Sequence, residues 1–324
     1  MRTILTIDGG GIRGLIPATV LMRLEEYLGL CLSDCFDVIA GVSTGGILAT
    51  GLAAPRFKNG AKLRASDMCR FYTEDGPGIF RRRWPRTLEL FRPRYKADIL
   101  SDIMKVRMPG KLLSDTDCEL LVTTYARNYS SAIQFCTRRA KNDPRYNFLL
   151  SDIATASSLA PTYFGSRAIV SIDGSRRIEC IDGGVARNNV TTLAIAHSKR
   201  LWPGEPVFVL SLGTGSPTSS PAGAGDARNW GALKWAPRVI ATFMDASTDF
   251  VTDEMRAFAD EWYRVNPSID NGMVALDNCS DENLRNLVQQ GELAWKHNLG
   301  AMQGKVASAL AKRYAERQQE AAKQ

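Results

Sequence analysis

Apolar positions recur along the chain in two rhythms, and the points where the rhythm changes predict where strands give way to helices. Residues 3–7 (TILTI) form a short apolar run closed by Asp8 and a glycine cluster, the pattern of a buried strand that delivers a loop at its carboxyl end. The following segment predicts a helix, with Pro17 suited to its first turn, Leu21, Leu24 and Leu28 on one face, and Gly29 as a stop. Residues 36–40 predict a second strand and residues 47–52 the start of a second helix. This β-α-β-α opening predicts an α/β fold whose parallel sheet carries helices on both faces. Residues 119–125, 132–136, 177–181 and 207–212 (VFVLSL) read as further strands and residues 149–159 as a helix, with the sheet extending to Leu212. Residues 213–226 (GTGSPTSSPAGAGD) read as a loop or lid. Beyond them, residues 230–263 and 282–324 are compatible with helices, the last sixteen (ALAKRYAERQQEAAKQ) expected to fray into solvent.

A length of 324 residues fits one large α/β domain as well as two smaller ones. The expected division is a single domain over 1–324, with residues 1–215 carrying the sheet and its motifs and residues 216–324 completing it mainly with helices. Hydrophobic residues at 44% and charged residues at 23% exclude a disordered, collagen-like or coiled-coil chain. No run approaches the roughly 18 apolar residues that span a bilayer, and MRTILTIDGGG turns polar too early for a signal peptide, so the expected compartment is the cytoplasm. Seven cysteines without a C-x-x-C pair disfavour a disulfide framework or a thiolate zinc site, and two histidines alone, His197 and His297, argue against a multi-histidine metal centre.

The net charge of +7 is concentrated in residues 79–96 (IFRRRWPRTLELFRPRYK). There Arg81, Arg82, Arg83, Arg86, Arg92, Arg94 and Lys96 face the single acid Glu89, with Phe80, Trp84 and Phe91 interleaved. Such a segment suits anionic lipid headgroups or nucleic acid; the alternative is an arginine-rich loop that pairs with its own protein.

Three motifs carry candidate chemistry. Gly9, Gly11 and Gly14 satisfy G-x-G-x-x-G between a predicted strand and a predicted helix, the setting of a dinucleotide fingerprint. The acidic residue that would hold a ribose is missing, because the second strand ends in Ala40 and Gly41 while Asp34 and Asp37 lie at its start. The unobstructed N–H groups of Gly9, Gly10 and Gly11 near a helix N-terminus can instead hold a phosphate or a developing oxyanion. Arg13 adds a positive charge there, or ties the loop to the sheet. Gly41-Val42-Ser43-Thr44-Gly45 is a G-x-S-x-G elbow between strand and helix, which projects a nucleophilic serine; the alternative is a serine that only caps a helix. For its base, neither histidine lies in a loop, whereas Asp182 ends a predicted strand beside Gly183 and Gly184, where partial burial raises a carboxylate's pKa. The alternative is an ordinary turn aspartate.

In order and context, Asp8-Gly9-Gly10-Gly11-Ile12-Arg13-Gly14, Gly41-Val42-Ser43-Thr44-Gly45 and Asp182-Gly183-Gly184 resemble the patatin-like phospholipase family. The likeness extends to ATASSLAPTYF (154–164), LSLGTG (210–215) and DNCSDENLRNL (277–287), and so covers most of the chain. The resemblance implies a three-layer α/β/α fold with a mostly parallel sheet, and hydrolysis of lipid acyl esters by Ser43 as nucleophile and Asp182 as base. It makes the Gly9 to Gly14 loop the oxyanion hole, with N–H groups from Gly10 to Arg13 as donors, and requires no metal or cofactor. Val190, where the family often has proline, is a departure expected to touch loop rigidity rather than chemistry. The chain also looks like bacterial patatin-like effectors of anti-phage defence. That likeness implies a cyclic di- or trinucleotide activator, assembly into homo-oligomers, and peripheral recruitment from the cytoplasm to inner-membrane phospholipid, with no nucleic acid polymer as partner. A constitutive lipid acyl hydrolase and a non-catalytic nucleotide-binding module remain the alternatives.

Overall fold

Alternation along the central strands decides what covers each face of the sheet. In β1 (Arg2–Ile7), β2 (Val38–Val42), β3 (Glu119–Ala126) and β7 (Val207–Leu212), Leu5, Ile7, Ile39, Leu120, Val122, Phe208 and Leu210 belong to one buried cluster. Their neighbours Ile4, Val38, Ala40, Val42, Leu121, Val207 and Val209 belong to a second. Strand side chains point alternately to opposite faces, so the sheet is buried on both sides. The first face packs under the helices Leu15–Leu28, Thr44–Ala53 and Asp281–His297, and the second under Thr191–Leu201 and Val251–Phe258. The result is three layers, α/β/α. This computed structural model describes residues 1–82, 91–218, 228, 231, 242 and 250–323; Arg83, Trp84, Arg86 and Glu89 of the basic segment, residues 219–226 of the expected lid and most of 230–249 lie outside the described residues.

With β4 (Ser131–Cys136), β5 (Arg167–Val170), β6 (Arg177–Asp182) and β9 (Glu261–Val265), the strand order is β5-β6-β3-β2-β1-β7-β9, β4 also pairing with β3, while β8 (Ser216–Pro217) and β10 (Ser268–Ile269) pair separately. Strands β3, β2, β1, β7 and β9 run parallel; β4 and β6 are antiparallel to β3, and β5 is antiparallel to β6. Because β4 pairs with residues 121–126 of β3, the strands β2 and β6 must share the opposite edge, β2 ending at Val42 opposite Thr123 and β6 ending at Asp182 opposite Thr124. Two strands of opposite direction therefore finish at the same point of β3. That junction is where Ser43 and Asp182 meet.

Most predicted elements are present with ends moved by one to three residues, including the Leu15–Leu28 helix closed by Gly29 in the left-handed conformation (φ 66°). Two expectations are corrected. The tract expected to be helical through Tyr263 instead ends its helix at Phe258 and continues as strand β9, so the sheet extends beyond Leu212. Its EWYRV sequence is aromatic and β-branched, and Trp262 and Tyr263 pack on opposite faces. The terminal helix Ala307–Ala321 does not fray: Leu310 is fully buried, and Arg313, 4% exposed, reaches Asp37 while Arg317 donates to Ser33 and Phe36 carbonyls. Arginine stems that cover apolar surface give this docking no hydrophobic signature.

Candidate active site

Steric constraint begins at Gly41. A Cβ there would sit 2.0 Å from the Gly45 carbonyl oxygen, and one on Gly45 would sit 2.1 Å from the Ile7 carbonyl oxygen. Only glycine permits this approach of β2, β1 and the helix Thr44–Ala53. Between them Ser43 takes φ 55° and ψ −127°, a conformation costing about 1–3 kcal/mol for a residue with a side chain. Neighbours hold it there. The Ser43 N–H donates to Ser157 Oγ at 2.9 Å, the Ser157 hydroxyl donates to the Thr123 carbonyl at 2.8 Å, and the Ser158 hydroxyl donates to the Ser43 carbonyl at 2.9 Å. Both serines belong to the 154–164 stretch, to which sequence reading assigned no role.

Ser43 Oγ donates to Asp182 Oδ2 at 2.7 Å, and the other carboxylate oxygen accepts from the Gly184 N–H at 2.7 Å. Asp182 is 2% exposed. Burial outweighs these two neutral hydrogen bonds and lifts its pKa from 3.8 to about 7. The carboxylate is thereby oriented at both oxygens and poised to hold a proton at neutral pH.

The glycine loop crosses above this pair as a 3-10 turn, Gly11–Gly14, with Gly11 at φ 57°. Three of its N–H groups are already committed: Gly9 donates to Asn188 O at 3.1 Å, Ile12 to Leu276 O at 2.9 Å and Arg13 to Gly10 O at 3.1 Å. Donors from Gly10 through Arg13 were expected to share an oxyanion; the structure leaves the N–H groups of Gly10 and Gly11 without an acceptor among the described residues. Ile12, Arg13 and Gly14 are buried and shape the turn.

The loop is clamped by residues that sequence reading missed or left without a role. Asn188 Nδ2 donates to Gly9 O at 3.3 Å and Thr214 Oγ1 donates to the same oxygen at 2.7 Å. Asp8 receives Arg264 of β9 and Asn189. The LSLGTG stretch supplied Thr214 as a signal; nothing local marks Arg264. Val190 is fully buried at the start of the Thr191–Leu201 helix.

Neither histidine is near Ser43. His197 is buried against Glu119 (Nε2 to Oε1, 2.9 Å), and Glu119 pairs with Val38, the opposite end of β2 from Ser43. His297 is exposed in the last turn of Asp281–His297. Beside Ser43 opens an apolar cleft of about 570 Å³, its solvent mouth included, walled by Ile12, Ile47, Phe71, Ile79, Phe164 and Leu276. Its apolar lining suits an aliphatic chain. In the described part of the basic segment, Arg94 is drawn inward to Asp277 (3.4 Å) and Tyr163, whereas Phe91 is 83% exposed. Among the described residues no helix is long and apolar enough to cross a membrane.

A family profile described as patatin-like phospholipase matches residues 5–195. Patatin-like protein 1 of Oryza sativa subsp. indica is 35% identical over 90% of this chain and 80% of its own length. Patatin-like protein 2 of Arabidopsis thaliana is 34% identical over 79% of this chain and 71% of its own, and Patatin-04/09 of Solanum tuberosum 30% identical over 91% and 84%. The crystal structure of VipD from Legionella pneumophila aligns at 12% identity and a TM-score of 0.44, over 93% of this chain and 67% of that one. With the serine elbow, the glycine loop and the strand-end aspartate inside the matched residues and relatives aligned along most of its length, the chain belongs to the patatin-like phospholipase family, whose activity is lipid acyl hydrolysis.

Proposed function

We propose that the protein hydrolyses acyl esters of membrane phospholipids through a Ser43–Asp182 dyad, with the glycine loop as oxyanion hole. One observation carries the reading: the Ser43 hydroxyl, on the wall of an apolar cleft, donates at 2.7 Å to a buried aspartate. Asp182 takes the Ser43 proton as Oγ attacks the acyl carbonyl carbon. The carbonyl oxygen, now negative, is received by the N–H groups of Gly10 and Gly11. Asp182 then returns the proton to the departing alcohol oxygen, leaving an acyl-Ser43 ester with its chain in the cleft. Water, deprotonated by the same aspartate, attacks that ester, and the proton goes back to Ser43 as the fatty acid leaves. The strained serine supports an enzyme over a nucleotide-binding module, which has no use for it.

Mass spectrometry after fluorophosphonate treatment tests the nucleophile. One adduct on Ser43, absent from Ser43→Ala, is expected; a labelled protein with Ser43 unmodified overturns the dyad.

Regulation is the second half of the proposal: a cyclic di- or trinucleotide raises a low basal activity and assembles protomers at the cytoplasmic face of the inner membrane. Ser43 already meets its proposed base, so an enzyme in contact with its own cell's lipid needs a separate control. Hydrolysis of phospholipid vesicles with and without a cyclic nucleotide panel decides it, full activity without any of them leaving a constitutive acyl hydrolase.

A further inference from the structure

Positive charge gathers around a second cleft. Arg138 and Arg139 follow β4, Arg176 precedes β6 and Arg200 lies in the last turn of Thr191–Leu201; all four line one opening of about 1340 Å³, its solvent-filled mouth included. Among the described residues, none of their guanidiniums meets a carboxylate at ion-pair distance. Asp143, the acid on the cleft wall, is taken by Arg145 at 2.8 Å. Glu119 accepts the Arg138 backbone N–H and faces His197.

Aromatic contacts position Arg139 and Arg176 without neutralising them. Arg139 and Arg176 lie 3.3 and 4.4 Å from the Tyr146 ring centroid, and Arg176 also lies 5.4 Å from that of Tyr129. Stacking occupies the guanidinium face and leaves the N–H edge for an acceptor. Arg176 Nε is buried with no acceptor among the described residues.

The same region holds Glu119, Cys136 and His197 with ligand atoms within 4.8 Å of one another, which would suit a metal by residue type. Arg200 argues against a cation. Its Nη2 lies 2.9 Å from His197 Nδ1, and since arginine only donates, the ring proton is left on Nε2, facing Glu119. A metal ligand would reverse that arrangement beside a fixed positive charge.

We propose that this cleft binds a phosphate-bearing anion through Arg138, Arg139, Arg176 and Arg200, at a site separate from the Ser43 cleft. Glu119 pairs with Val38 and Cys136 with Leu121, at the end of the sheet where β2 and β3 begin, whereas Ser43 follows the other end of β2. Occupancy therefore leaves the serine open. Phosphate suits the arginine fork, which binds its oxygens in pairs. The anion is either a soluble phosphate compound or a phospholipid headgroup, and this inference does not depend on the dyad.

The test is calorimetric titration with inorganic pyrophosphate at low ionic strength, using wild type, Arg139→Gln/Arg200→Gln and Arg139→Lys/Arg200→Lys. Saturable binding that weakens with salt is expected, at least about tenfold weaker in the glutamine pair, with the lysine pair between. A second arm pellets the protein with phosphatidylglycerol–phosphatidylcholine vesicles in a Ser43→Ala background. Arginine-dependent vesicle binding displaced by pyrophosphate assigns the site to headgroups; arginine-dependent pyrophosphate binding without a vesicle effect assigns it to a soluble ligand. Hydrolysis of a short-chain ester by the glutamine pair, unchanged from wild type, reports an intact fold. No arginine-dependent binding of either probe, or equal binding by the glutamine pair and wild type, overturns the proposal.

Discussion

Two aspartates lie buried beside β2, one at each of its ends, and their surroundings drive them in opposite directions. Asp37, 7% exposed, precedes β2; burial alone would raise its pKa, but Arg313 bonded to both oxygens, the Thr3 N–H and Arg2 outweigh burial and hold it below the ordinary carboxylate range. Asp182, 2% exposed, meets only the Ser43 hydroxyl and the Gly184 N–H, and burial lifts it to about 7. A paired carboxylate fastens the terminal helix to the sheet. An unpaired one is costly to hold as an anion, and that cost makes it a proton acceptor near neutral pH.

The sharpest way to break this contrast is to remove the charge at the catalytic end. Ser43→Ala and Asp182→Asn are each expected to lower ester hydrolysis roughly 10⁴- to 10⁶-fold with circular dichroism unchanged, because a nucleophile and its base act as a unit. Wild-type hydrolysis should fall about tenfold per pH unit below about 7, as Asp182 becomes protonated and unable to accept the Ser43 proton. Substantial activity in folded Asp182→Asn, or a flat profile from pH 5 to 8, would remove the aspartate from the chemistry.

At the other end the expected loss is in stability. Arg313→Met leaves Asp37 buried with Arg2 as its remaining cation, and breaking a buried pair in this way costs about 3–5 kcal/mol. Urea unfolding at pH 7 measures it, and the folded fraction should retain its ester hydrolysis. A loss below 1 kcal/mol would mean that Asp37 is solvated by other means.

Asp182→Asn carries a second, smaller prediction with the opposite sign. Asparagine can donate to Ser43 Oγ while accepting the Gly184 N–H, so no hydrogen bond is lost. Because the native pKa is raised from 3.8 to about 7, the folded protein keeps a proton that the unfolded chain has released, and wild-type stability falls as pH rises through that window, by about 4 kcal/mol at most. The variant lacks this loss. Its melting temperature should match wild type at pH 4 and exceed it at pH 8; equal or lower values at both would contradict a desolvated carboxylate at 182.

The two ends also differ in how far the sequence reveals them. Ser43 and Asp182 stand in short glycine-bounded motifs at predicted strand ends, where steric necessity at Gly41 and Gly45 leaves a local trace. What brings them together, β2 and β6 ending on one edge of β3, is a pairing between distant segments with no periodic signature. Asp8 and Arg264 are 256 positions apart, and Asp37 and Arg313 276. Each joins an acid to an arginine that hydropathy assigns to the surface. Strand β9 was hidden because charged Glu261 and Arg264 dilute its apolar alternation.

The smallest expected effect isolates what depresses Asp37. Arg2 Nη1 lies 3.2 Å from Asp37 Oδ1, while its other nitrogens serve Glu205, so Arg2→Gln leaves the Arg313 contacts to both carboxylate oxygens in place. Loss of the two partly exposed pairs, to Asp37 and to Glu205, should cost about 1 kcal/mol at pH 7. The sign follows from the direction of the Asp37 shift: a depressed native pKa contributes stability above the unfolded value of 3.8 and loses it as pH falls through the native one. Arg2→Gln raises that native pKa part of the way back, so the deficit seen at pH 7 should be smaller at pH 2, below the unfolded value. Urea midpoints at the two pH values decide it. An equal deficit at both would assign the effect of Arg2 to its packing over Trp202, 4.6 Å from the ring centroid, rather than to the aspartate.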